Sequence, residues 1–312
     1  VSDYCHLPPY RVDLQNVPHS NKEGVDWAVE SYGIPALWKQ THGEGVTVAV
    51  IDSGIAPHSA FQDAIKDFRN FSSDSDVYDS LGHGTHVAGT IGARTGFAKG
   101  IAPGCSLLSL KALGHSGMGS MAAVADAVRH ATEVKADVIC MSLGAPRPDA
   151  RLHEAIRHAH SQGVIVVCAA GNDGGAVNYP AAFSETIAVG AVDRNGALCE
   201  FSSRGKEIAV AAPGAEITST WLAEGYATLS GTSMAAPFVA GVLTLYVAAQ
   251  KKEGMDIDHA AVLRALADTC RDVGEAGKDP HYGWGLLDPH KMLTFDVKPN
   301  GVTIWIPGAK VL

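Results

Sequence analysis

A chain of 312 residues, 46% hydrophobic and with 34 glycines, has room for one large α/β domain or two small ones and needs many tight turns. Its net charge of −9 argues against a nucleic-acid or anionic-membrane partner, either of which would want a basic face. No apolar run is expected to reach the length of a membrane-crossing helix, and the first residues lack the charged-then-apolar pattern of a secretory leader; the chain begins at Val1, so removal of a preceding segment stays open.

Residues 1–24 are polar and proline-containing, with His6-Leu7-Pro8-Pro9-Tyr10-Arg11 as their one distinctive motif. They read as an extended arm outside the core. Over 25–290 apolar strands alternate with helices. Residues 26–38 have helical stretches broken by Gly33 and Pro35. Strands are expected at 46–51, 106–110, 138–141, 164–169 and 187–192, and helices at 86–92, 120–134, 151–162, 235–249 and 260–269. Near-continuous apolar strands separated by helices predict a mainly parallel central sheet with helices on both faces, a three-layer α/β/α architecture. Residues 291–312 form a C-terminal extension, and the alternation around Asn300-Gly301 predicts a β-hairpin at 295–306.

The six cysteines, Cys5, Cys105, Cys140, Cys168, Cys199 and Cys270, include no C-x-x-C pair. Buried free thiols are expected, which favours a reducing, cytoplasmic setting; secretion after loss of a leader is the alternative.

Ligands of parallel sheets bind beyond the carboxyl ends of the strands, and several polar residues fall there. Asp52 ends the first apolar strand, where it either caps a turn or holds a charged partner. His83 and His86 stand three apart at a helix start. Without the glutamate of H-E-x-x-H a zinc site has little support, and no metal is expected there. One exposed imidazole steadied by a carboxylate would instead suit a general base, a role for His83 beside Asp52. Asn172 follows a buried strand, either as a neutral donor to an oxyanion or as a turn residue beside Gly171. Ser233 opens a small-residue helix, where unpaired N–H groups and the helix dipole favour developing negative charge. A nucleophile fits that position, and so does an N-cap.

In order, D-S-G at 52, H-G-T-H-V-A-G at 83, A-A-G-N at 169 and G-T-S-M-A-A-P at 231 resemble the subtilisin-like serine proteases, or subtilases, over about residues 35–290. The resemblance implies a serine endopeptidase acting on polypeptides, with Asp52 as orienter, His83 as base then acid, Ser233 as nucleophile and Asn172 in the oxyanion hole. A catalytically silent, peptide-binding relative is the alternative. The nucleophile elbow G-x-S-x-G is absent, since Ala235 stands where glycine would be needed.

The resemblance also implies a substrate cleft. Gly117, Met118 and Gly119 would form one edge and Ser142, Leu143 and Gly144 the facing one. The specificity pocket would be walled by Ser142, Leu143, Gly144, Ala169, Ala170 and Gly171, with Asn178 near its base and Met121 bordering a more distant pocket. Small uncharged walls imply a large apolar or aromatic residue before the cleaved bond. Two departures stand out. Phe238 replaces the usual histidine after the motif proline, and Ala60 stands where an aspartate would bind calcium. No cofactor is required; Asp74, Asp76 and Asp79 remain possible calcium ligands, or else a solvated turn. Finally, the arm motif resembles the Leu-Ile-Pro-Tyr propeptide segment of intracellular subtilisins. It implies that residues 1 to about 20 act as an intramolecular inhibitor, with a flexible tether as the alternative.

Overall fold

The computed structural model describes residues 3–15 and 23–295. In chain order its strands are β1 (Tyr4–His6), β2 (Arg11–Gln15), β3 (Thr47–Asp52), β4 (Ile65–Asn70), β5 (Ser106–Lys111), β6 (Met118–Ser120), β7 (Val138–Met141), β8 (Ile165–Ala169), β9 (Ile187–Val192), β10 (Ile208–Pro213), β11 (Ile217–Thr220) and β12 (Tyr226–Ser230). The helices are α1 (Trp27–Ser31), α2 (Ile34–Leu37), α3 (His83–Gly92), α4 (Met121–Glu133), α5 (Ala150–Ser161), α6 (Thr232–Lys252), α7 (His259–Thr269) and α8 (Pro289–Leu293).

Seven strands build the expected parallel sheet, in the order β10-β9-β8-β7-β3-β5-β4. Its central strands are apolar on both faces because both are covered. Val48 and Val50 of β3 pack with α3 and α6, whereas Ala49 and Ile51 pack with α4 and α5. The α/β/α sandwich follows directly. Edge strands β4 and β10 lay outside the sequence expectations. In β4, IKDFRN carries too much charge to read as core. In β10 the proline ends an edge strand whose open side is bridged by Gly283 and Leu286.

Helix α6 corrects another expectation. By length and composition it is apolar enough to cross a membrane, yet nearly all of it is buried as the central core helix. Phe238, the departure on this helix, is buried with its ring edge-on to Tyr32 at 5.2 Å.

The arm is extended, but it does not lie outside the core as the sequence suggested: it is stitched to the body, and Cys5 is fully buried in a core cluster. Strand β1 pairs antiparallel with β6, and β2 joins β11 and β12 in a second small sheet. The expected C-terminal hairpin, beyond Phe295, lies outside the described residues.

Candidate active site

At the carboxyl end of β3, Asp52 Oδ1 lies 2.8 Å from His83 Nδ1 and accepts from the Ser53 N–H at 2.7 Å and Ser53 Oγ at 3.2 Å. The turns that bring them together require glycine. A side chain at Gly84 would meet the Gly54 carbonyl at 2.1 Å, and Gly54 and Gly82 hold φ of +100° and +91°. Ser53 Oγ in turn accepts from the Gly84 N–H at 3.0 Å, locking the two loops. Beneath them the buried Lys111 ammonium donates to the carbonyls of Ser53 at 3.0 Å and Tyr78 at 3.2 Å. Asp52 and His83 are fully buried, so the expected exposed imidazole is not what the structure holds. Tyr10 of the arm covers it, ring centroids 5.1 Å apart and tilted 47°. Burial, with Asp52 and Asp79 nearby, raises the Tyr10 hydroxyl pKa to about 12. His83 Nε2 is left buried with no hydrogen-bond partner.

Ser233 is the second residue of α6. Pro237, four residues on, has no N–H to give the Ser233 carbonyl, which instead accepts from Ser142 Oγ at 2.9 Å. Ser233 Oγ donates to the Ser142 carbonyl at 3.3 Å. Asn172 reaches the same helix start. Its Oδ1 accepts from Thr232 N–H at 2.8 Å and Thr232 Oγ1 at 2.7 Å, filling the role of an N-cap from a distant loop. That orientation turns Nδ2 outward, where it donates to the Pro9 carbonyl at 3.0 Å. Thr232, Ser53 and Lys111 were not singled out from sequence, although the first two lie inside the quoted motifs.

The arm runs between the two expected cleft edges. Cys5 pairs with Gly119 and His6 with Met118, the Leu7 N–H donates to Gly117 at 3.0 Å, and on the other side His6 and Gly144 exchange two bonds of 3.0 Å. Cys5 is buried in the cluster that includes Met121 and Leu143, and Pro8 is buried as well. Asn178 packs beside Gly144 and Gly171; a side chain at Gly171 would meet its Nδ2 at 2.2 Å. Ala169 and Ala170 are buried at the end of β8.

Asp74, Asp76 and Asp79 are not brought together as ligands. Asp74 faces Lys111 at 3.3 Å and His115 at 2.9 Å, and Asp76 accepts from the Tyr78 N–H at 2.8 Å. Asp79 is taken up by Thr85 and Leu81. Among the described residues no group of three or more His, Cys, Asp or Glu could hold a metal ion. His86 is a packed core histidine whose Nε2 serves the carbonyls of Ile217 and Ala227.

Residues 43–285 match the model of the Subtilase family, well over half of the chain. The chain belongs to the subtilase family. It is 38% identical over 266 residues to Minor extracellular protease Epr of Bacillus subtilis, a match covering 84% of this chain and 40% of Epr. It is 40% identical over 254 residues to Intracellular serine protease of Paenibacillus polymyxa, covering 77% of each. With Major intracellular serine protease of B. subtilis it shares 43% over 227 residues, 68% of this chain and 71% of that one. As a subtilase it is a subtilisin-like serine endopeptidase, and its substrates are polypeptides.

Proposed function

We propose that this subtilase cleaves through an acyl-enzyme at Ser233, with its own N-terminal arm as a seated inhibitor. The observation that carries the reading is that one stretch of the arm touches both halves of the site: Tyr10 lies on the His83 ring of the Asp52–His83 pair, and the adjoining Pro9 carbonyl accepts from Asn172, whose amide holds the opening of α6 where Ser233 stands. In this mechanism His83 Nε2 takes the Ser233 proton as Oγ attacks the carbonyl, and Asp52 holds the imidazolium that forms. Asn172 Nδ2 and the Ser233 N–H receive the oxyanion. His83 then returns the proton to the leaving amine, and water, activated the same way, hydrolyses the ester.

Inhibition follows from register. The two His6–Gly144 bonds mark an antiparallel pair, and the next such pair, two residues along, sets Pro8 opposite Ser142. Pro8 has no N–H to give, so the Ser142 carbonyl takes Ser233 Oγ instead. The nucleophile is thereby turned from His83 Nε2, which stays unpartnered, while Tyr10 shuts the imidazole away. Pro9, not Pro8, offers its carbonyl to Asn172.

The pocket beside Ser142, Leu143, Gly144, Ala169, Ala170, Gly171 and Asn178 suits a large apolar or aromatic residue, with Met121 lining the pocket now filled by Cys5. All six cysteines are free thiols, and two relatives are named intracellular; both support an intracellular enzyme.

Two measurements test this reading. A fluorophosphonate should label Ser233, and an unlabelled serine would favour the silent relative. Deletion of residues 1–15 should raise turnover of a peptide library cut after aromatic and large apolar residues. Unchanged turnover removes the inhibitor, and cleavage mainly after Arg or Asp removes the pocket assignment.

A further inference from the structure

We propose that β12 is a docking strand for the leaving-group side of the substrate, pairing main chain to main chain with residues well beyond the cleaved bond. This rests on the reading that the arm lies along the substrate path. The arm passes from the β6 edge, by Pro9 at Asn172, straight into β2, which pairs antiparallel with β12 from Arg11 opposite Ser230 to Gln15 opposite Tyr226. Ser230 is three residues before Ser233, so a chain leaving the site in the same direction runs onto the same edge. The far side of β12 is taken by β11, and without β2 its near side is an open sheet edge.

That edge is built independently of the arm. Ala227 and Leu229 are fully buried, His86 Nε2 ties the Ile217 and Ala227 carbonyls together, and Thr218 Oγ1 meets Thr228 Oγ1 at 2.8 Å. Asp26 Oδ2 and Trp27 Nε1 anchor the hairpin to α1, through the Thr218 N–H at 2.9 Å and the Glu216 carbonyl at 3.0 Å. The occupant contributes its backbone. Val12, Asp13 and Leu14 remain exposed, Val12 at 44% and Leu14 at 62%, so no pocket grips these side chains. Strand addition of this kind selects for an extended chain of sufficient length and tolerates its sequence. The enzyme is thereby tuned to unfolded polypeptides over short peptides.

The test uses the full chain and fluorogenic peptides identical up to the cleaved bond, with one, three, five or seven residues after it. Peptides are compared on one preparation, so the fraction of chains with the arm seated cancels. The expected result is a kcat/KM rising about tenfold from one residue to five or seven, chiefly through KM. N-methylation along the longest peptide should remove that gain at alternate positions only, because alternate N–H groups face a neighbouring strand. A flat length series, or N-methyl effects without alternation, overturns the docking strand and leaves the inhibitory arm standing. Arm deletion without effect on turnover sinks the arm reading instead and does not alter the length series.

Discussion

Tyr10 lies against His83 with ring centroids 5.1 Å apart, and it closes the imidazole from solvent. Tyr10→Ala removes an aromatic contact of about 1 kcal/mol and roughly as much again in apolar burial of a half-buried ring. The seated arm should therefore lose about 2 kcal/mol, and the open fraction should rise about 30-fold. The rate of fluorophosphonate labelling at Ser233 in the full chain reads this directly. An unchanged rate would mean that Tyr10 does not hold the arm shut.

Carried on from the His6–Gly144 pair, the antiparallel register sets Pro8, which has no N–H, opposite Ser142, whose carbonyl accepts Ser233 Oγ. Pro8→Leu restores the donor and an apolar side chain for the pocket, so the arm should become a substrate. Mass spectrometry of the intact chain should find cleavage near residues 8–10 in the variant and far more slowly in the parent. A stable Pro8→Leu arm would place the inhibitory element elsewhere.

Asn172 works with both ends of its amide. Its Nδ2 donates to the Pro9 carbonyl and its Oδ1 holds the Thr232 N–H and hydroxyl. Asn172→Asp keeps the acceptor and loses the donor; turnover should fall at least 10²-fold, a loss of the size known for the equivalent donor in subtilisin, with thermal stability nearly kept. Asn172→Ala loses both, and leaves a helix-start N–H unpaired at about 1–3 kcal/mol of stability besides. Two variants equal in both activity and melting temperature would contradict this division.

Much of this arrangement was legible before folding, for reasons that differ by element. Strands β7 and β9 match the expected bounds to the residue because buried parallel strands are unbroken apolar runs. The edges β4 and β10 escaped notice because an edge strand need not be apolar on both faces, or can end in proline. Asp52, His83, Asn172 and Ser233 were singled out through motif order, since residues so far apart in the chain carry no local mark that they act together. The arm's register was not legible at all. Which prolyl carbonyl meets Asn172 depends on pairings with β6 and β12, both more than 100 residues away.

His86 is fully buried, and desolvation above all lowers its pKa from 6.5 to about 3. The unfolded chain binds that proton near pH 6.5 and the folded one near 3, so stability is fully present above 6.5 and is lost as pH falls towards 3. The slope in that window is about 1.4 kcal/mol per pH unit. His259, lowered to about 4 chiefly by burial, adds in the same direction. Urea midpoints of the Ser233→Ala chain should fall between pH 6.5 and 4.5. His86→Gln, which keeps a donor for Ile217 and Ala227 without the titration, should flatten that fall.

Asp74 stands at the turn where calcium was considered, yet its carboxylate is committed to Lys111 at 3.3 Å and to His115 at 2.9 Å. Those contacts, with His115 first among them, outweigh partial desolvation and hold its pKa below the usual carboxylate range. Lys111 is itself buried and fastens the Ser53 and Tyr78 carbonyls, so it supplies at this turn the positive charge that a cation would otherwise bring. Two outcomes follow. A chelator should leave the melting temperature of the chain unchanged, because no ligand set is assembled around Asp74, Asp76 and Asp79. Lys111→Met should destabilise it by about 2 kcal/mol, the usual cost of leaving buried carbonyls, here those of Ser53 and Tyr78, without their donor. If added calcium restored the Lys111→Met melting temperature, the turn would prove able to exchange an ammonium for a metal ion. A loss of stability in the parent chain on chelation would show that the chain holds a stabilising metal ion.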